Sequence, residues 1–186
     1  MEVIELRPYQ NTIIDIGSQT LLSRGFVYLA MEVRTGKTLT SLGIADRVKA
    51  VNVLFVTKKK AISSIEDDYQ LLNPSFNLTT INYESIHKIP DTQWDVIICD
   101  EAHSMGAFPK PSKRAKQVKE LIGKTKPFVI LLSGTPTPES FSQMYHQVYG
   151  IPTNPFAHYK NFYRFSDDYV NVKIKPIGGL QIRDYS

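Results

Sequence analysis

A chain of 186 residues can bury one sizeable core, and an apolar fraction of 42% is that of an ordinary globular protein rather than a disordered or fibrous one. Its 22 basic and 18 acidic residues leave a net charge of +4 and a pI near 9.0, only mildly suggestive of a polyanion partner. The single cysteine, Cys99, excludes an internal disulfide framework and fits a reducing compartment; no apolar run could span a bilayer, and Met1-Glu2-Val3-Ile4-Glu5 lacks the order of a signal peptide, so a soluble, cytoplasmic protein without a membrane partner is expected.

From the N-terminus, residues 8–23 read as a helix with Pro8 in its first turn. Residues 26–30 form an apolar, β-rich run, and 37–49 carry Leu39, Leu42, Ile44 and Ala45 at roughly helical spacing. Between strand and helix lies Met31-Glu32-Val33-Arg34-Thr35-Gly36-Lys37-Thr38, the pattern of a phosphate-binding loop except that Met31 stands where a glycine is usual. A triphosphate needs backbone N–H donors converging at a helix N-terminus, where the macrodipole also favours negative charge. Gly36 lets the backbone come close, Lys37 would set an ammonium against the β- and γ-phosphates, and the Thr38 hydroxyl would take a coordination position on Mg²⁺. The triplet Gly36-Lys37-Thr38 alone is as compatible with an ordinary surface loop.

A strand at 52–57 leads into Lys58-Lys59-Lys60, followed by an expected helix at 60–72 and a strand at 78–81. A strand expected at 95–99 carries the apolar run 96–99 and ends in Asp100-Glu101, the form of a buried central strand that projects acids from its C-terminal end, where open α/β sheets place their ligands. Asp100 would hold Mg²⁺ through water, and Glu101 would orient or deprotonate the water attacking the γ-phosphate. Alone, this pair would read as an acidic turn; downstream of the Gly-Lys-Thr loop the phosphate chemistry is the better account. A lysine-rich helix at 112–122, a strand at 128–132 ending in Ser133-Gly134-Thr135-Pro136, and a helix at 138–149 complete the alternation. Alternating strands and helices imply an α/β fold with a mostly parallel sheet covered on both faces. Residues 1–150 are read as one domain. Residues 151–186 are read as a turn-rich, aromatic extension that packs on it, the aromatic run being core or interface in preference to a base-stacking surface, and its last residues beginning a connection.

With these residues in view, the chain resembles the first, RecA-like motor domain of a superfamily 2 helicase, in its SWI/SNF-type branch. The resemblance rests on Gly36-Lys37-Thr38 and Asp100-Glu101-Ala102-His103, with several further segments in the order that branch requires. Leu6-Arg7-Pro8-Tyr9-Gln10 resembles an adenine-reading motif, which implies that Gln10, flanked by Arg7 and Tyr9, hydrogen-bonds the adenine edge. Arg34 and Thr35 complete the implied nucleotide loop. Lys58 and Lys59, Tyr83 of Thr79-Thr80-Ile81-Asn82-Tyr83-Glu84, and Ser112, Lys113 and Arg114 stand where family members contact nucleic acid, although a solvated helix face remains open for 110–119. Ser133, Gly134 and Thr135 resemble the coupling motif, and His103 would link them to the nucleotide. His87, His146 and His158 have no metal-ligand spacing, so no zinc is expected.

The resemblance implies ATP and Mg²⁺ as cofactors and DNA as partner, double-stranded by preference, with single-stranded DNA or RNA still open. It also implies a second RecA-like domain, in cis or in trans, because 139–186 hold no glutamine-glycine-arginine constellation and an arginine finger is worth ~10³ or more in rate. Compact size and the form of the loop are similar to viral, especially bacteriophage, members, which would place the protein in a host cytoplasm. Three functions follow in order of preference: the ATP-binding motor domain of a DNA helicase or translocase, a nucleotide- or nucleic-acid-binding module without motor activity, and a non-helicase phosphate-loop enzyme, in which Glu101-Ala102-His103 and Ser133-Gly134-Thr135 would have no role.

Overall fold

A computed structural model describes residues 4–178 and 180–186. In chain order the elements are α1 (Pro8–Arg24), β1 (Phe26–Ala30), α2 (Lys37–Arg47), β2 (Asn52–Thr57), α3 (Ile62–Leu72), β3 (Asn77–Asn82), β4 (Val96–Cys99), α4 (Lys113–Thr125), β5 (Phe128–Ser133), α5 (Gln143–Gln147), α6 (Phe162–Tyr169), β6 (Lys173–Ile177) and β7 (Leu180–Asp184). Short 3₁₀ turns at Lys59–Ala61, Tyr83–Lys88 and Ala102–Met105 follow β2, β3 and β4.

The first five strands form one parallel sheet in the order β1-β5-β4-β2-β3. Its registers pair Val56 with Cys99, Cys99 with Leu131, and Ala30 with Ser133. The segments that leave β2, β4, β5 and β1 therefore emerge side by side at the C-terminal edge, where ligands bind in open α/β sheets.

Strand alternation divides the core into two layers. Leu54, Val56, Ile97, Cys99, Val129 and Leu131 face one layer with Ala115, Val118 and Leu121 of α4. Val53, Phe55, Val96, Ile98, Ile130 and Leu132 face the other, with Ile14 and Leu21 of α1, Leu42 and Ile44 of α2, and Ile65 of α3. All four β4 residues are fully buried, which is why 96–99 reads as a continuous apolar run rather than an alternating one. Helices α1 and α2 approach closely through two glycines: a Cβ on Gly17 would lie 2.6 Å from Ile44 Cδ1, and one on Gly43 would lie 2.5 Å from Ile14 Cδ1. This reciprocal contact sets the N-terminus of α1 beside the loop that opens α2.

The first layer continues through Val148, Ile151, Phe156, Phe162, Phe165 and Tyr185. Phe165 is fully buried, with ring centroids 4.8 Å from Phe156, 5.1 Å from Tyr145 and 5.1 Å from Tyr169. The hydroxyls of Ser140 and Ser142 donate to the Tyr185 carbonyl at 2.9 and 2.6 Å. The aromatic run is thus largely core.

One expectation is corrected and one pair of strands is added. The helix expected at 138–149 shrinks to α5, because local side chains compete for the backbone before it: Glu139 N–H donates to Gln143 Oε1 and Ser142 N–H to Ser140 Oγ. The extension read as turn-rich and aromatic also holds two strands, which form the antiparallel pair β6–β7 with Gly178 at φ 57° between them.

Candidate functional site

The Gly-Lys-Thr loop leaves the sheet late. Met31 N–H still donates to the Ser133 carbonyl at 3.2 Å, extending the β1–β5 ladder, so the position where a glycine is usual needs no positive φ here. The loop turns instead at Arg34 and Gly36, with φ of 65° and 76°. Gly36 is the N-cap of α2 and supplies no side-chain cap, leaving the first-turn N–H groups open to an anion. Within the loop, Thr35 Oγ donates to the Glu32 carbonyl at 2.7 Å, and Lys37 Nζ donates to the same oxygen at 2.9 Å.

Residues of α1 brace the loop from behind. The Tyr9 hydroxyl donates to the Thr35 carbonyl at 2.9 Å, and Gln10 Nε2 to the Gly36 carbonyl at 3.4 Å. Gln10 Oε1 accepts the Arg7 N–H at 2.9 Å, capping the start of α1, and the residue is only 4% exposed. Gln10, expected to read adenine, thus lies directly behind the loop. Each end of its amide makes one bond inside the chain, and the side chain buttresses the Gly-Lys-Thr loop. Arg7 and Tyr9 remain exposed next to it.

At the neighbouring strand ends, Asp100 Oδ2 accepts the Thr57 hydroxyl at 2.8 Å. Burial is the largest influence on the Asp100 carboxyl and raises its pKa above the usual carboxylate value, with Thr57 opposing. Glu101 lies in the left-handed region at φ 50°, rare for a glutamate and held there by its surroundings. One of its carboxylate oxygens, Oε1, is 3.4 Å from Lys58 Nζ; the other, Oε2, is 3.3 Å from His103 Nδ1. His103 Nδ1 also lies 2.9 Å from Ser133 Oγ, which accepts the Thr135 N–H at 3.2 Å. A continuous polar chain thus runs from the acidic pair after β4 to the loop after β5. Gly134 completes the contact with the nucleotide loop: a Cβ there would lie 3.3 Å from Val33 Cγ2 and 3.8 Å from Lys37 Nζ. Lys37, Asp100, Glu101, His103, Ser133, Gly134 and Thr135 are brought together.

The expected nucleic-acid contacts are less uniform. Lys59 and Lys113 are exposed, and Lys58 is half-exposed beside Glu101. Ser112 is the N-cap of α4, its hydroxyl accepting the Ala115 N–H at 3.1 Å. Arg114 pairs with Glu84 at 2.5 Å and lies over the Tyr83 ring, 5.2 Å from its centroid. Tyr83 is a correction. It is fully buried, its hydroxyl donates to the Asp100 carbonyl at 2.6 Å, and it supports the acidic loop instead of facing nucleic acid.

Two contributors escaped the sequence reading. Thr57 holds Asp100, and the register offers the signal, since Val56 pairs with Cys99 and the next residues along both strands meet. The Glu32 carbonyl that receives Lys37 is a backbone group and leaves no signature in sequence. Cys99 is fully buried and its thiol is pushed up to about 12 by burial, which fits a core thiol. Among the described residues no cluster of three or more His, Cys, Asp or Glu could hold a metal. The donors that could face Mg²⁺, the Thr38 hydroxyl and the Asp100 carboxylate, are all oxygen. They suit a cation that keeps waters and uses one or two carboxylates beside substrate phosphates. Among the described residues, no helix is long and apolar enough to cross a membrane.

Known proteins share this fold. The SWI2/SNF2 ATPase core of Sulfolobus solfataricus, solved in complex with dsDNA, is similar over 88% of this chain and 38% of its own length, with a TM-score of 0.71 at 17% identity. That likeness establishes a RecA-like α/β fold. The RNA polymerase-associated protein RapA of Serratia proteamaculans (strain 568) is 32% identical over 95 residues, covering 50% of this chain and 10% of the relative. RapA of Yersinia pestis (strain Pestoides F) is 32% identical over 80 residues, 43% of this chain and 8% of the relative. The chain thus spans about a tenth of the curated relatives it matches. The family model for the SNF2-related domain matches residues 29–175, most of the chain, and the chain belongs to that family.

Proposed function

We propose that this chain is the ATP-binding half of a DNA-dependent motor, coupling ATP hydrolysis to movement on nucleic acid, double-stranded DNA by preference. The observation that carries the reading is the polar chain Glu101–His103–Ser133–Thr135, which links the candidate hydrolytic acid to a segment alongside the nucleotide loop. A module that only stored a nucleotide would have no use for such a link.

In this reading the exposed Tyr9 ring and Arg7 guanidinium flank the base, and the backbone N–H groups of the loop at Arg34, Thr35, Gly36 and Lys37 converge on the phosphates. Lys37 exchanges the Glu32 carbonyl for the β- and γ-phosphates, stabilising charge that spreads over the γ-oxygens as the bond to the β-phosphate breaks. Mg²⁺, held by Thr38 and by Asp100 through water, would neutralise charge on the β- and γ-oxygens. Glu101 orients the attacking water and takes its proton; His103 passes the state of the γ-phosphate to Ser133, Gly134 and Thr135. Lys58, Lys59, Ser112, Lys113 and Arg114 line the same edge for backbone phosphates, contacts that position a nucleic acid without reading its bases. Residues 151–186 act as an outer layer of the motor domain, and a second RecA-like domain supplies the arginine that completes the site. The form of the loop favours a viral source and a host cytoplasm.

The test separates binding from chemistry. Lys37→Ala should lose nucleotide binding, whereas Glu101→Gln should bind a fluorescent ATP analogue as well as the parent and fail to hydrolyse ATP. Equal loss of binding in both would refute the assignment of roles.

A further inference from the structure

We propose that Lys58 is a positioning residue for Glu101: its ammonium holds the carboxylate until nucleic-acid phosphate draws the ammonium away, so that engagement of the polymer frees the hydrolytic acid. The inference rests on the function proposed above and adds to it the element that makes turnover depend on the polymer.

Three observations carry it. Lys58 Nζ and Glu101 Oε1 are 3.4 Å apart, while Oε2 is 3.3 Å from His103 Nδ1, so each carboxylate oxygen already faces a partner. Neither end of the ion pair is buried, with side chains 41% and 36% exposed, so a phosphate can reach the ammonium without any part of the fold opening. Lys58 also follows directly on Thr57, whose hydroxyl holds Asp100 at 2.8 Å, so both acids are tied to the end of β2, 43 residues away in sequence. An ion pair exposed to this degree contributes little to stability. It does fix where the carboxylate points, and a carboxylate pinned between an ammonium and an imidazole cannot turn freely to a water.

The exchange balances in charge without any bond being made. Free, the Lys58 ammonium faces the Glu101 carboxylate; bound, the same ammonium faces a phosphodiester oxygen, and the carboxylate is left with His103 alone. Phosphates of a polymer compete well for an ammonium because they arrive as an array and their contacts are reinforced by counterion release. Arg114 does not serve in this way, since the carboxylate it pairs with is Glu84, and drawing it to a phosphate would release neither acid of the Asp100-Glu101 pair.

The experiment follows the side-chain carboxyl carbon of Glu101 by NMR, assigned by its loss in Glu101→Gln, with a mixed-sequence duplex DNA as the probe and its binding followed in parallel by fluorescence anisotropy. DNA should move the wild-type resonance toward the position that Lys58→Ala shows without DNA, and Lys58→Arg, which keeps a cation, should stay near the free wild type. ATP turnover without DNA should rise in Lys58→Ala by up to about fivefold, the equilibrium weight of a half-exposed ion pair, with KM for ATP unchanged and the stimulation by DNA reduced. A wild type that binds DNA by anisotropy while its Glu101 resonance stays put overturns the proposal, as does a folded Lys58→Ala whose resonance coincides with that of the free wild type. Absence of any DNA binding by the wild type instead overturns the functional reading beneath it.

Discussion

Gly36→Ala tests how the nucleotide loop is built, because its cost divides into two separable parts. At φ 76° an alanine carries the left-handed penalty, roughly 1–2 kcal/mol. The new Cβ would also lie 2.4 Å from Gln10 Nε2, which has to leave. Moving that amide endangers its 3.4 Å bond to the Gly36 carbonyl and the 2.9 Å bond from the Arg7 N–H, a cap whose loss typically costs about 1 kcal/mol. The single variant should therefore lose roughly 2–3 kcal/mol. Gln10→Ala alone forfeits the same cap and should lose about 1 kcal/mol. Since the clash has already displaced the amide, the double variant should retain the left-handed penalty but not count the cap twice, giving a coupling of about 1 kcal/mol in a double-mutant cycle. Equilibrium urea unfolding reads all four corners of the cycle, and nucleotide titration should show weaker binding in each variant because the loop loses its brace. Strict additivity, or a double variant as stable as Gln10→Ala, would refute the contact or the strain respectively.

Asp100→Asn should stabilise the fold at neutral pH while removing hydrolysis. Burial raises the Asp100 pKa in the folded state, so between the ordinary value of 3.8 and that raised value the folded chain holds the extra proton and stability falls as pH rises. The gain from Asn, whose carbonyl can still accept the Thr57 hydroxyl, should be full above that window and vanish below it; thermal unfolding at neutral and acid pH reads it, and a gain independent of pH would contradict the assignment. Lys113→Ala should weaken DNA binding and flatten its salt dependence by about one unit of slope, measured by anisotropy over a salt series; an unchanged slope would return α4 to a solvated face.

What the sequence discloses and what it hides follow from the range of the interactions. The strand, loop and helix around Gly36-Lys37-Thr38, and the apolar run ending at Asp100-Glu101, are legible because each is local: burial on both faces makes 96–99 uniformly apolar, and the loop must place its glycine within a residue or two of the helix start. Direction is another matter. Tyr83 sits in a recognisable segment, yet nothing local says that its ring turns inward under Asp100. Gln10 likewise has an amide suited to an adenine or to backbone groups, and only the packing of α1 on α2 brings it against the Gly36 carbonyl. The β6–β7 hairpin was hidden for a different reason: its strands bury almost nothing, include Pro176, and so lack the alternation that marks a half-buried strand. The Lys58–Glu101 pair joins residues 43 positions apart and depends on β2 and β4 being neighbours, which strand spacing alone does not specify.

The central claim, that the Asp100-Glu101 edge hydrolyses ATP in response to nucleic acid, is tested most directly by steady-state ATP turnover of this chain with and without duplex DNA, beside Glu101→Gln as the blank. The account predicts turnover above the blank, slow without an arginine from a second domain and raised by DNA. Tight ATP binding with turnover equal to the blank, unaffected by DNA and by an added second motor domain, would contradict it.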